Sequence, residues 1–178
     1  NFRPHMLSFM SASDSYPLVA LQEPPEVCAG LDEYHTLFCT YTYAAGLAGT
    51  GLNESTRVCT SLGDGMAVGE CLNYVVSALA MDIETDTGQK ISLITELCGQ
   101  ITFPSWRSEC YYILADELAL FRPVTHLREI ADACQASYDA YNFDCFNHIL
   151  WLLPDETRVE FCRMVEEPHK EFCYEGIG

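Results

Sequence analysis

Cysteine is the residue in this chain with the most chemistry to offer: ten of them in 178 residues. Thiols at that density form disulfides, hold a metal or act as redox centres, and their spacing discriminates among these. Metal-binding and redox thiols come in close pairs such as C-x-x-C, and none occurs; no Cys/His group has zinc-finger spacing either. The ten are Cys28, Cys39, Cys59, Cys71, Cys98, Cys110, Cys134, Cys145, Cys162 and Cys173. Taken in order as neighbours they stand 11, 12, 12, 11 and 11 positions apart, whereas the gaps between those pairs vary from 17 to 27. Constant spacing marks the constrained segment. The expected bridges are therefore 28–39, 59–71, 98–110, 134–145 and 162–173.

Few other residues are spaced for chemistry. Asp82, Glu84, Asp86 and Gly88 place oxygens at alternate positions like a calcium loop, but Leu93 stands where the ion needs a bidentate Glu. A solvated inter-helix loop is the better reading of that segment. The histidines His5, His35, His126, His148 and His169 are scattered. His148 has Asp144 one turn before it, a faint suggestion of a helical hydrolase site. There is no G-x-S-x-G elbow and no H-E-x-x-H. Gly46, Gly49 and Gly51 follow a helical stretch, not a strand, which disfavours a phosphate cradle. No cofactor and no metal is expected. Asn53-Glu54-Ser55 is a glycosylation sequon, relevant in a glycosylating pathway.

The cysteine spacing dictates the elements that carry it. A disulfide needs its Cα atoms within about 4.4–6.8 Å, and eleven residues of unbroken helix would hold them ~16 Å apart. The chain must reverse inside each pair. Breakers stand there: Gly63 and Gly65 in the second pair, Gly99 and Pro104 in the third, Pro168 in the fifth, and only Asp139 and Asn142 in the fourth. After each second cysteine the apolar residues follow helical spacing, as in Cys110, Ile113, Leu114, Leu118 and Phe121. Segments ahead of the first cysteines are amphipathic too, as in Ile91, Ile94 and Leu97. Period-two strand patterns are nearly absent.

Aligning the pairs exposes an internal repeat. Eight residues after the second cysteine stand Leu47, Leu79, Leu118 and Leu153; three after the first stand Leu31, Leu62, Ile101, Ser137 and Val165. The residue before the first cysteine is apolar throughout: Val27, Val58, Leu97, Ala133 and Phe161. The expected fold is all-α, with disulfide-pinned helical hairpins stacked as a short solenoid or superhelix. Such an architecture is similar to Sel1-like and tetratricopeptide-type repeats, although the consensus positions of those families are missing. Residues 25–178 would form one domain of five Cys-paired units, and residues 1–24 an extended N-terminal arm.

Charge narrows the function. Asp and Glu number 26 against 9 Lys and Arg, a net charge of -17, with Lys90 and Lys170 the only lysines. Nucleic-acid backbones and anionic lipid surfaces would repel such a chain. No apolar run approaches the ~20 residues of a transmembrane span. The chain opens on Asn1 without a charged n-region or cleavage motif, as a mature, processed protein would. Structural disulfides place it outside the cytosol, in a periplasm or secreted; the mitochondrial intermembrane space, home to other cysteine-paired hairpins, is the alternative. The expected role is a non-catalytic protein-binding or structural subunit of an extracytoplasmic assembly. Its partner contacts would come from Phe2, Met6, Phe9 and Met10 in the arm and from Tyr41 and Tyr43. A small secreted hydrolase-like enzyme and a cation-binding secreted protein are the alternatives.

Overall fold

The computed structural model describes residues 25–81, 87–137 and 139–177. Among them every element is helical. A single 3-10 turn, Glu26–Cys28, precedes α1 (Glu33–Leu47), α2 (Leu52–Thr60), α3 (Gly65–Ala80), α4 (Thr87–Gln100), α5 (Pro104–Phe121), α6 (Leu127–Ala136), α7 (Asp139–Leu152), α8 (Asp155–Met164) and α9 (His169–Glu175). All five bridges are the expected ones, with Cα–Cα distances of 5.8, 5.4, 5.4, 5.5 and 5.5 Å in chain order. In four of the pairs the first cysteine lies near the end of one helix and the second within the next. The Cys28–Cys39 pair ties the 3-10 turn to α1.

Local chemistry sets the helix ends. The Asp64 carboxylate accepts hydrogen bonds from the backbone N–H groups of Met66 and Ala67 (3.0 and 3.1 Å), starting α3, and Asp32 accepts from His35 N–H to start α1. Pro104 occupies the first turn of α5, where its missing N–H costs nothing. Gly63 adopts φ +72° between α2 and α3, a left-handed conformation that favours glycine. The fourth turn differs from the sequence expectation. Asp139 already begins α7, so the chain leaves its helix at Ser137, where the hydroxyl donates to the Cys134 carbonyl at 2.7 Å. Serine there replaces the apolar residue found at this position in the other units because the tight turn needs a side chain that bonds its own backbone.

The helices that follow the disulfide turns, α1, α3, α5, α7 and α9, pack each against the next. The others nest against them: α2 on α1 and α3, α4 on α3 and α5, α6 on α5 and α7, and α8 on α6 and α9. One core runs between these sets. Leu72, Ile94, Leu114, Leu118, Ile130, Phe146, Ile149 and Phe161 are among its largest fully buried members, and every cysteine but the half-buried Cys39 is buried as well. Each such side chain contributes roughly 1.5–3 kcal/mol by leaving water. Polar side chains inside the core clip helices together: Ser55 donates to the Ala44 carbonyl at 2.6 Å, and Asn73 Nδ2 to the Trp106 carbonyl at 3.0 Å. A Cβ on Gly69 would lie 2.9 Å from Trp106 Cβ, so glycine is what lets α3 approach α5 there.

Candidate binding face

Each of α1, α3, α5, α7 and α9 turns its cysteine inward to a bridge. The residue just before that cysteine and the one three after it lie one turn apart, on a neighbouring face. Just before the cysteines stand Phe38, Glu70, Glu109, Asp144 and Phe172. Three after them stand Tyr74 on α3 and His148 on α7. Because these helices pack in succession, the residues form a band of three carboxyls between aromatic ends.

The α1–α3 part of the band is aromatic. Phe38 meets Tyr74 edge-on with ring centroids 6.0 Å apart, and Tyr41 meets Tyr74 at 5.5 Å. Tyr34, 65% exposed, continues the group one turn earlier on α1. Glu70 belongs to the same cluster. Burial pushes its carboxyl above the usual range, partly offset by a hydrogen bond from the Tyr41 side chain. The Tyr74 phenol is raised as well, mainly by burial and then by the charges of Glu70 and Tyr34.

The α5–α7 part is acidic. Glu109, Tyr112 and Asp116 follow one another at helical spacing on α5. His148 Nε2 lies 2.7 Å from Asp116 Oδ1, and the Tyr112 and His148 rings pack 5.3 Å apart, tilted by 31°. The Glu109 carboxyl is pushed up to about 7, by burial first and by Asp116 second. Tyr112 is raised too, by burial and then by Asp116, Glu109 and Asp144. Trp151 stands one turn beyond His148 and is 87% exposed.

This geometry favours cations over oxyanions. A His–Asp pair is a competent general base. However, the groups beside it are carboxyls, which oppose the negative charge that builds in acyl or phosphoryl transfer. The same carboxyls gain by pairing with a positive group, and aromatic faces attract cations through their quadrupoles. Among the described residues no three His, Cys, Asp or Glu side chains converge as a metal ion requires. The carboxyls are spread along a band instead.

The residues singled out from sequence fall as follows. His148 pairs with Asp116 on the neighbouring helix, not with Asp144, which is exposed on α7. Tyr41 is 2% exposed and packs into the α1–α3 contact, so it has little area to offer a partner; Tyr43 remains partly exposed. All ten cysteines are bridged. Asn53 is exposed in the first turn of α2, while the Ser55 of its sequon is buried. Phe2, Met6, Phe9 and Met10, and the Asp82–Asp86 loop, lie outside the described residues. Sequence reasoning misses Glu70, Glu109, Asp116, Tyr74 and Tyr112 as members of a face. The signal that finds Glu70, Glu109 and Tyr74 is their offset from the second cysteine of each pair; Tyr112 and Asp116 stand at other offsets and are found through their contacts with His148 across α5 and α7.

Comparison with protein-family models, with curated proteins and with solved structures finds no match to this chain. The class is therefore defined by the fold alone: a chain whose described elements are all helical, bearing five disulfides between neighbouring cysteines. Those disulfides fit an oxidising compartment outside the cytosol. No described helix is long and apolar enough to cross a membrane.

Proposed function

We propose that this protein is a non-catalytic binding or structural subunit of an extracytoplasmic assembly, secreted or periplasmic, with the mitochondrial intermembrane space as the alternative site. On this reading the five disulfide-pinned hairpins act as a short helical-repeat scaffold that presents one face to protein partners. The observation that carries it is the exposed aromatic group of Tyr34 and Phe38, continuous through Tyr74 with the core. Large aromatic side chains left at the surface on rigid helices are typical interface anchors. Residues 1–24, with Phe2, Met6, Phe9 and Met10, would supply a second contact.

The test is the native mass of the protein drawn from its source, with cross-linked partners identified. A stable complex whose cross-links map to α1 and α3 is expected. A monomer of about 20 kDa with no cross-linked partner would overturn the reading.

One observation favours a second reading, a hydrolase: the 2.7 Å contact between His148 and Asp116. It predicts turnover of ester substrates that disappears in both His148→Gln and Asp116→Asn. Turnover untouched by either change would dismiss it.

A further inference from the structure

The band has a composition that selects among partners. Its exposed aromatic members, Tyr34 and Phe38, lie beside Tyr74 at the α1–α3 contact, where Glu70 is held. Glu109, Asp116 and Asp144 follow on α5 and α7, where Asp116 raises Glu109 and all three raise the Tyr112 ring between them. A second copy of the chain is a poor occupant, since two such faces would bring carboxyls against carboxyls and each copy carries a net charge of -17. Phosphate-bearing polymers and anionic lipid meet the same repulsion. A cationic chain meets none of it. Its charged ends would reach the carboxyls while its aliphatic stems lie on the rings, as Lys and Arg side chains do at aromatic interfaces.

We propose that the outer face of α1, α3, α5 and α7 binds an arginine- or lysine-bearing segment of a partner protein, laid across the helices from Tyr34 and Phe38 past Glu70 to Glu109, Asp116 and Asp144. The inference rests on the subunit reading and names the chemistry of the partner. It also gives a use to carboxyls held half-buried among rings: an incoming cation offers Glu70 and Glu109 a counter-charge. Arginine is the better fit, because its planar guanidinium stacks on a ring and meets a carboxylate at its edge.

The experiment titrates a peptide of alternating arginine and serine into the full chain with its disulfides intact, followed by calorimetry at neutral pH. A peptide with glutamate in place of arginine is the control. Two triple variants remove the same number of carboxyls. One is Glu70→Gln, Glu109→Gln, Asp144→Asn on the face. The other is Glu96→Gln, Glu156→Gln, Glu167→Gln, at exposed positions away from it. The face variant should weaken binding about tenfold or more and the remote variant less than about twofold. Equal weakening by both would reduce the attraction to overall charge and overturn the proposal.

Ionisation of Glu109 on binding should also release protons, seen as heat that changes with the buffer. Glu109→Gln should abolish that release. Should the face variant misfold, a photo-reactive arginine peptide on the unaltered protein locates the contact directly: labels on α1, α3, α5 and α7 support the proposal, and labels on α4 or α8 overturn it. A native partner cross-linked to this face, combined with no affinity for the arginine peptide, sinks the cationic partner and leaves the subunit reading standing. Peptide binding with a strictly monomeric native protein does the reverse.

Discussion

The Cys28–Cys39 end and the Cys98–Cys110 middle are built on nearly the same cysteine spacing, yet they hold together differently. In the middle, α4 runs ahead of the first cysteine, and Leu97 and Ile101 on either side of it are buried, 3% and 1% exposed. At the N-terminal end the described residues open on Pro25, which precedes a turn of only three residues, Glu26–Cys28. The equivalent apolar residues, Val27 and Leu31, are 70% and 49% exposed. The bridge alone is enough to fold the chain back on itself. In the middle, the helix in front buries the residues that flank the bridge.

That contrast can be broken most forcefully in the core. Leu118→Ala removes a fully buried side chain from α5 and should cost about 2–5 kcal/mol in a denaturant titration, while Leu31→Ala should change stability by no more than about 0.5 kcal/mol. Similar losses at the two sites would mean that the N-terminal end is covered after all. Replacing Cys98 and Cys110 by Ala should cost about 3 kcal/mol through freed loop entropy. The same change at Cys28 and Cys39 should open amide exchange only before and within early α1, leaving α5 protected. Loss of protection throughout the chain would erase the distinction.

Glu109 sharpens the comparison through pH. Its carboxyl titrates near 7 in the folded chain against 4.5 unfolded, so the folded state holds that proton more tightly. The associated stability is fully present below pH 4.5 and is lost as pH rises through 7. Glu109→Gln should flatten this slope and leave the variant more stable above pH 7 by about 1–3 kcal/mol, measured by melting across that range. A slope unchanged by the substitution would place the titrating group elsewhere. The smallest effect expected is at a helix start: Asp64→Ala should cost about 1 kcal/mol by removing two hydrogen bonds from the first turn of α3. Asp64→Asn should restore most of it.

The bridges and the helices are legible in the sequence because both rest on local rules. A disulfide with a fixed short spacing forces a reversal, and apolar residues at helical spacing identify the segments on either side. The fourth turn escapes these rules. Asp139 and Asn142 are turn formers by type, whereas Ser137, with a hydroxyl that closes on Cys134, ends the helix before them. The band is harder to see. Its members change from Phe38 to Glu70, Glu109, Asp144 and Phe172, so a search for recurring apolar residues passes over them. For His148, proximity in sequence points to Asp144, while the partner it meets, Asp116, lies 32 residues away on α5. Contacts between successive helices depend on how they stack, and no single helix carries that information. The offset from the second cysteine carries part of it, since that residue fixes how each helix is turned: it aligns Glu70, Glu109 and Asp144 but not Asp116.

Each bridge joins two cysteines that are neighbours in the chain, and none reaches from one hairpin to another. Oxidation can therefore keep pace with synthesis. A pair can close once its own hairpin has emerged, with no need to wait for a later thiol or to exchange a provisional partner for a final one. A protein wired this way should depend little on disulfide isomerase, and a cut between two hairpins would leave no covalent link between the fragments.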